Sequence, residues 1–600
     1  MTSSPSFTAG DPPSEHSNDA AEQSAVSTAS SALSCDSVEP AAAERRWLLI
    51  AIGVPVLLGA LLRTVHLNGP SFWFDESFTA EMISFGPLEI LDRTGRDVHP
   101  PLYYLLLKMW AAVFGDSLLG LRSFSVAAGT ASIALAGLLA ARLSPSRPAL
   151  AGGAAAGLFA VHPTLVYWSQ NARMYALLGT VGLAAALVLL RALDSGRRSD
   201  WAAAGGLLAA ACLTHNIAVW LTAGLMTAAL FGLLLTAWRE RRPATSKPDE
   251  RPPVAKGEAN ESCPAPAGDC PDVRRSLVGW AIGLAVIWIV WSPWLPTVLQ
   301  QSDRVREFFW TPDEATFEQV ADAALTAAID GRPTSRTAAL LDGDRELPFL
   351  VLAQAMFATA ILLTLASRHG GIVAAAILGP VIGLLITSLL VRGGVFIPRM
   401  FYLTTVFWIV GLAALVARLG PRPIAASLLA TLIVLTGLNT DPMLRDRRAD
   451  PDQPGVAAAA AYLDRNAGDD PVLFARTYLF QTIPRSLRNP NWRVAVEFDN
   501  VLHFQGGPVA RRDDYLIAND WSALRQAIAG EESGDSTDGS SPERVWTVGA
   551  DRFWFAHDSD RVPVPRGWQL ESDRRFADRH CQLRIRSYRP KSAATRSEAD

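Results

Sequence analysis

Charge is scarce in this chain of 600 residues: Asp, Glu, Lys and Arg together make up 19% of it, and the formal net charge is −4. That leaves no basic field for gripping nucleic acid, and helix–turn–helix, zinc-finger and aromatic RNA-binding patterns are missing as well. Lysine is almost absent beside abundant arginine, which reads as a coding bias rather than a binding device. Cysteine is as rare. Cys35, Cys212, Cys263, Cys270 and Cys581 are too scattered for a disulfide framework, and Cys263 and Cys270 lack the spacing of a zinc knuckle. What the chain has in plenty is apolar length. Half of its residues are hydrophobic and mean hydropathy is +0.18, which with this length excludes a single water-soluble globule.

The apolar residues gather into runs close to the ~20 that span a bilayer. They lie at Trp47–Leu62, Leu118–Ala140, Leu150–Trp168, Ala172–Leu190, Trp201–Leu213, Ile217–Trp238, Ser276–Leu295, Leu347–Leu365, Ile372–Val391, Phe401–Val416 and Pro423–Leu438. No cleavable signal peptide precedes the first, so it is expected to insert behind Arg45 and Arg46 with its N-terminus cytoplasmic. Arginines then test the count. Arg142 with Arg147, Arg191 with Arg197 and Arg198, the Arg239–Arg275 loop, Arg368, and Arg418 with Arg422 all fall on the cytoplasmic side if these eleven runs cross. One further run, Pro101–Gly115, must then not cross; it is fifteen residues long, holds Lys108, and is expected to lie in the outer interface. The fold class expected is a polytopic α-helical membrane protein, with about 11 transmembrane helices, interfacial helices in the first outer loop, and a C-terminal soluble α/β domain.

Residues 1–44, rich in Ser, Ala and Pro with only acidic charges, are expected to form a disordered cytoplasmic tail. The membrane domain takes 45–439, with 239–275 a flexible cytoplasmic loop full of Pro, Ala and charge. An extracytoplasmic α/β domain takes 440–590, and 591–600 is a second disordered tail. In that domain helix-like Val456–Asn466, Thr477–Leu487 and Trp521–Ile528 are interspersed with strand-like Val472–Ala475, Arg493–Val496, Arg544–Val548 and Gln582–Tyr588, and Gly530–Ser541 reads as a polar loop. It shows no phosphate-binding glycine loop or nucleophile elbow, so it reads as an accessory or acceptor-side module.

The chemistry-bearing residues sit on the outer side. Phe72-Trp73-Phe74-Asp75-Glu76 places two adjacent carboxylates behind three aromatics, at a boundary where partial desolvation strengthens a carboxylate as a base. Asp97-Val98-His99-Pro100-Pro101-Leu102-Tyr103-Tyr104 uses a double proline as a rigid corner at the start of the interfacial helix. Tyr167-Trp168-Ser169-Gln170-Asn171-Ala172-Arg173-Met174-Tyr175 puts Arg173 at outer membrane level, where a guanidinium can form paired hydrogen bonds to a phosphate. Arg399, in Ile397-Pro398-Arg399-Met400-Phe401-Tyr402, stands on the same side, as do Thr214-His215-Asn216 and, as a weaker member, Arg122. Singly, each has an ordinary reading: solvated loop acids beside an aromatic belt, a helix start, a snorkelling arginine. Their convergence on one side at five places makes coincidence the harder explanation.

Taken in this order, Phe72 to Glu76, His99 to Tyr104, Arg122, Tyr167 to Tyr175 and Thr214 to Asn216 resemble the bacterial membrane glycosyltransferases of the GT-C fold, such as the protein O-mannosyltransferases and the aminoarabinose transferase that modifies lipid A. The resemblance covers about Trp47–Leu438. It implies transfer of a sugar from a lipid-phosphate carrier, a polyprenyl phosphate, to an acceptor hydroxyl outside the cytoplasmic (inner) membrane, with inversion. Asp75 would be the catalytic base and Glu76 its companion. Arg173, helped by Arg399 or Arg122, would hold the donor phosphate, with Trp73, His99, Tyr103, Tyr175 and His215 in contact with substrate. Interfacial helices at Ile83–Arg93 and Pro101–Gly115 are also implied. The partners expected are that donor, membrane lipid, and a protein, lipid or polysaccharide acceptor, with no nucleic acid. The sequence leaves room for a divalent cation with Glu76, His99 or His215 as ligands and offers no closed ligand set. The rival class is a multipass transporter or flippase for lipid-linked sugars, whose site belongs near the bilayer midplane between related halves; here the polar cluster is at the rim and no repeat is evident. A second rival, a membrane-anchored binding module, leaves the acids of the first loop unexplained.

Overall fold

The computed structural model describes residues 42–70, 72–241, 272–308, 316–330, 346–391, 395–447, 455–468, 470–474, 493–496, 516–518, 543–553, 556–560, 567–577 and 581–591. The expected tails, the interior of the 239–275 loop, the helices expected at Thr477–Leu487 and Trp521–Ile528, and the loop Gly530–Ser541 lie outside them.

The chain enters through α1 (Ala42–Thr64) and then lays down three short helices: α2 (Phe74–Met82), α3 (Pro87–Arg96) and α4 (Leu102–Phe114). Next come α5 (Leu118–Leu143), α6 (Pro148–Val161), α7 (Pro163–Ser169), α8 (Tyr175–Ser195), α9 (Arg198–Thr214), α10 (Ala218–Arg241) and α11 (Val273–Trp291). A single turn leads from α11 into α12 (Leu295–Phe308); α13 (Phe317–Leu325), α14 (Glu346–Ala366), α15 (Gly370–Val391), α16 (Tyr402–Val416) and α17 (Arg422–Asp446) follow. Among the described residues nine helices are long and apolar enough to cross a membrane.

Two of the eleven expected crossings take another form. The run Leu150–Trp168 is not one straight helix but α6 and α7, bent by 61°. Pro163 has no N–H to continue the ladder, and it holds His162 extended (φ −69°, ψ 125°). The carbonyls freed at the end of α6 are taken by the buried Arg63 of α1: Nη2 donates to Phe159 O (2.9 Å), Nη1 to Ala160 O (3.1 Å), and Nε to Ser169 Oγ (3.0 Å) on α7. Irregular backbone at this depth is thus satisfied inside the protein. The other exception is α9, which at 17 residues is ~26 Å long. It runs antiparallel beside α8: Arg191 near the end of α8 lies 3.3 Å from Asp200 at the start of α9, and the Tyr175 and His215 rings are 5.5 Å apart at the opposite ends. It therefore traverses the depth that α8 does. In contrast α4 has 13 residues, ~20 Å, too few to cross.

Glycines let the helices approach. A Cβ on Gly205 would stand 2.4 Å from Gly283 O, and one on Gly279 2.2 Å from the Trp201 ring, so α9 and α11 meet almost backbone to backbone. At the end of the bundle remote from α2, arginines staple the loops: Arg142 and His369 to Asp194, Arg147 to the carbonyls of Ala417 and Gly420, Arg418 to those of Leu143 and Ala366. The Arg142, Arg147, Arg191, Arg368 and Arg418 stretches expected on one side do share one end.

The C-terminal part carries α18 (Gly455–Asn466) and a seven-stranded mixed sheet: β1 (Val472–Phe474), β2 (Arg493–Val496), β3 (Leu516–Ala518), β4 (Val545–Phe553), β5 (Ala556–Asp560), β6 (Trp568–Ala577) and β7 (Cys581–Pro590). The order is β3-β2-β1-β4-β7-β6, parallel from β3 to β4 and antiparallel beyond, with β5 paired to β4. Tyr462 on α18 packs on Trp546 and Phe576, covering one face of the sheet.

Candidate active site

The two carboxylates expected in a loop lie in the first turn of α2, where the amide ends of a helix favour negative charge. Trp73, half-buried and extended, precedes them as the cap. Successive helical residues point about 100° apart, so Asp75 and Glu76 face different surroundings. Asp75 keeps 18% of its side chain exposed, whereas Glu76 is fully buried.

Glu76 is gripped by Arg122 of α5: Nε donates to Oε1 (2.8 Å) and Nη2 to Oε2 (2.6 Å). Oε1 also accepts the Ala172 N–H at 2.8 Å, and Arg122 Nη1 donates to Leu67 O and Pro70 O. This bidentate pair ties together the start of the first outer loop, the start of α5 and the turn before α8. Arg122 thus turns its guanidinium to Glu76 and the loop carbonyls, and both Glu76 oxygens accept from nitrogen donors, which gives this expected pair of site residues a structural role in this geometry.

Asp75 faces the other way. Its Oδ2 stands 3.3 Å from Arg399 Nη1 and 3.7 Å from Arg173 Nε. Arg399 comes from the tight turn Pro398–Phe401, and Arg173 from the turn between α7 and α8. Arg173 Nη1 donates to Asp75 O (3.2 Å) and Thr79 Oγ1 (3.1 Å), which fixes the guanidinium against the α2 backbone. Its Nη2 reaches His99 Nε2 at 3.4 Å, and His99 Nδ1 pairs with Asp97 Oδ2 at 2.9 Å. A carboxylate can only accept, so Nδ1 carries the proton and Nε2 offers its lone pair to the arginine.

Behind His99 the His215 ring lies 5.8 Å away, with Tyr175 next to it; Trp168 packs on Tyr175 at 4.3 Å. Asn216 Nδ2 donates to Val98 O and Gln301 Oε1, and Gln301 Nε2 to Thr94 O, so α12 and the α9–α10 turn steady the segment carrying Asp97 and His99. Tyr103 lies behind these groups. Its ring is fully buried between Tyr104 and Phe124 and presents no face for a sugar to stack on. Among the described residues no three or more His, Cys, Asp and Glu gather as a metal site.

Asp75, Arg173, Arg399, His99, His215 and Tyr175 are thus brought together from α2, the α7–α8 turn, the turn before α16, the corner before α4 and the α9–α10 turn. Thr79 and Gln301 escaped the sequence reading. Thr79 lies one turn beyond Asp75 on the same helix face, a spacing legible only once α2 is known; nothing in the sequence around Gln301 marks it.

Residues 98–248, which hold His99, Arg173 and His215, match the family model described as dolichyl-phosphate-mannose-protein mannosyltransferase. This segment belongs to a membrane glycosyltransferase. None of the curated proteins matches the chain. Among solved structures, the glycosyltransferase is similar to ArnT from Cupriavidus metallidurans in the apo state (13% identity, TM-score 0.49, covering 91% of this chain and 98% of that one). The same enzyme bound to undecaprenyl phosphate gives 15%, 0.45, 90% and 98%. The archaeal oligosaccharyltransferase AglB from Archaeoglobus fulgidus, in complex with an inhibitory peptide and a dolichol-phosphate, gives 12%, 0.45, 84% and 69%.

Proposed function

We propose that this glycosyltransferase moves a sugar from a polyprenyl-phosphate carrier to an acceptor hydroxyl on the outer face of the cytoplasmic membrane. The observation that carries the reading is the Asp75 carboxylate held at 3.3 and 3.7 Å from two guanidinia brought in from distant parts of the chain. A carboxylate beside a cationic pair is what transfer from a phosphate leaving group calls for: one group to take a proton, others to hold the charge that is released. The description of the matched family, which names a dolichyl-phosphate sugar, supports a carrier of this class.

Asp75 takes the proton of the acceptor hydroxyl as its oxygen bonds to the anomeric carbon. The bond from that carbon to the phosphate oxygen breaks, and the electron pair leaves with the polyprenyl phosphate, whose added charge Arg173 and Arg399 stabilise. Attack from the face opposite the phosphate inverts the anomeric centre in one displacement. In this reading Trp73, just before Asp75, and the neighbouring rings of Tyr175 and His215 are the substrate contacts.

The arginine-stapled end is the cytoplasmic one by the positive-inside rule, which leaves α2 to α4 and the sheet of 440–590 outside, the latter as an accessory or acceptor-side module. The test is reconstitution of the full chain in vesicles with a labelled polyprenyl-phosphate sugar and an envelope extract as acceptor. Label covalently attached to extract components supports the reading. Label that only changes leaflet, still on its carrier, overturns it in favour of a flippase.

A further inference from the structure

His215 is 5% exposed, ends α9 and lies wholly among site residues, yet half of its hydrogen-bonding capacity is unused. Its Nδ1 accepts the backbone N–H of Ile217 at 3.1 Å. An imidazole nitrogen that accepts has no proton, so the proton of neutral His215 must be on Nε2. Nε2–H is therefore a donor, buried, with no acceptor in the protein. Arg173 Nε is in the same position: it is buried, and its nearest carboxylate oxygen, on Asp75, is 3.7 Å away and beyond hydrogen-bond reach. Buried donors rarely go unanswered in a folded protein. Two of them beside Arg399, with the His215 ring 5.8 Å from the His99 ring that itself touches Arg173, call for an acceptor-rich guest.

Resting on the donor-phosphate reading of this site, we infer that His215 is a phosphate ligand: its Nε2–H donates to a non-bridging oxygen of the carrier phosphate, beside Arg173 Nε–H. This is narrower than general contact with substrate. It also removes His215 from any metal-ligand set, because Nε2 bears a proton and Nδ1 is engaged by Ile217. A neutral donor suits a leaving group that must depart: it adds a directed hydrogen bond without a third full positive charge, which would grip the product phosphate.

The test is calorimetric titration of the full-length protein in lipid nanodiscs with farnesyl phosphate, using farnesol as the tail-only control. Asparagine's amide falls near the Nδ1 position and glutamine's near Nε2. His215→Asn is expected to weaken farnesyl phosphate binding about tenfold or more, as loss of a hydrogen bond to a charged group does, while His215→Gln keeps most of the affinity and farnesol binding is unchanged in both. Equal affinity for wild type and His215→Asn overturns the assignment. On the wild-type protein, nitrogen NMR of labelled histidine gives a second reading: farnesyl phosphate should move the His215 Nε2 resonance, and an unmoved resonance overturns the assignment even if a variant fails to fold. Arg173→Gln and Arg399→Gln separate the two levels. If they lose binding and His215→Asn does not, only the role of His215 fails; if neither loses it, the phosphate reading itself fails.

Discussion

Replacing Glu76 with Gln tests the division of labour between the adjacent acids. The side chain keeps its shape, but Arg122 is left as a guanidinium 1% exposed with no opposing charge, and the Ala172 N–H faces a weaker acceptor. Breaking a buried ion pair by removing one partner destabilises by about 3–5 kcal/mol. With an unfolding entropy of about 2.1 cal/mol/K per residue over roughly 400 membrane-domain residues, ~4 kcal/mol lowers the unfolding midpoint by about 5 °C. The double variant Glu76→Leu with Arg122→Met should regain much of that loss, since apolar residues of similar volume can replace a buried pair. The assay is thermal unfolding in detergent, alongside turnover per folded molecule at a temperature where the variant is intact. The expected result for Glu76→Gln is a lowered midpoint with turnover largely kept. An unchanged midpoint with turnover abolished would refute the structural assignment of Glu76.

Arg63→Met leaves the Phe159 and Ala160 carbonyls unanswered at the α6–α7 break, so thermal unfolding should show a loss of about 2–6 kcal/mol, from one to three kcal/mol per orphaned group; an unchanged midpoint would mean that water or another side chain fills the gap. Gly205→Val drives a side chain into Gly283 O and should separate α9 from α11, read as a lower midpoint, whereas full stability would contradict the close packing. In the C-terminal sheet, hydrogen bonds from Arg584 first and then Arg586 hold the Asp573 carboxyl at about 2. A carboxyl lowered in the folded state stabilises above its unfolded value, ~3.9, and that contribution is lost as pH falls toward about 2. Acid titration followed by tryptophan fluorescence should therefore show sheet melting in this window shifted upward in pH by Arg584→Met, and no shift would show the pairing to be idle.

The membrane architecture was legible because lipid imposes a coarse code. Apolar runs of near-bilayer length and arginines gathered at one end gave the helices, and the shortness of Pro101–Gly115 marked it as non-crossing. The bend at Pro163 was written in the sequence too, but continuous hydrophobicity from Leu150 to Trp168 concealed it. In the C-terminal part Arg493–Val496 matches β2 residue for residue, whereas β6 was missed. Its exposed positions carry Asp573 and Arg575 opposite Arg586 and Arg584, and a charged edge strand has no apolar alternation to read. The site was legible in its members rather than in their roles. Asp75, Arg173 and Arg399 could be picked as polar residues at the rim. That Glu76 and Arg122 belong to each other depends on α2 starting at Phe74, because only a helix turns neighbouring residues to different sides. The placement of Tyr103 is likewise decided by packing with Phe124 from the next helix.

The most direct measurement is the turnover of Asp75→Asn with a labelled polyprenyl-phosphate sugar, taken together with farnesyl phosphate affinity of the same protein. General-base catalysis contributes about 10²–10⁴-fold, so transfer should fall by that factor while phosphate binding holds or tightens, an anion having been removed from beside Arg173 and Arg399. Transfer at the wild-type rate by the folded variant would contradict the central claim that this carboxylate takes the acceptor's proton.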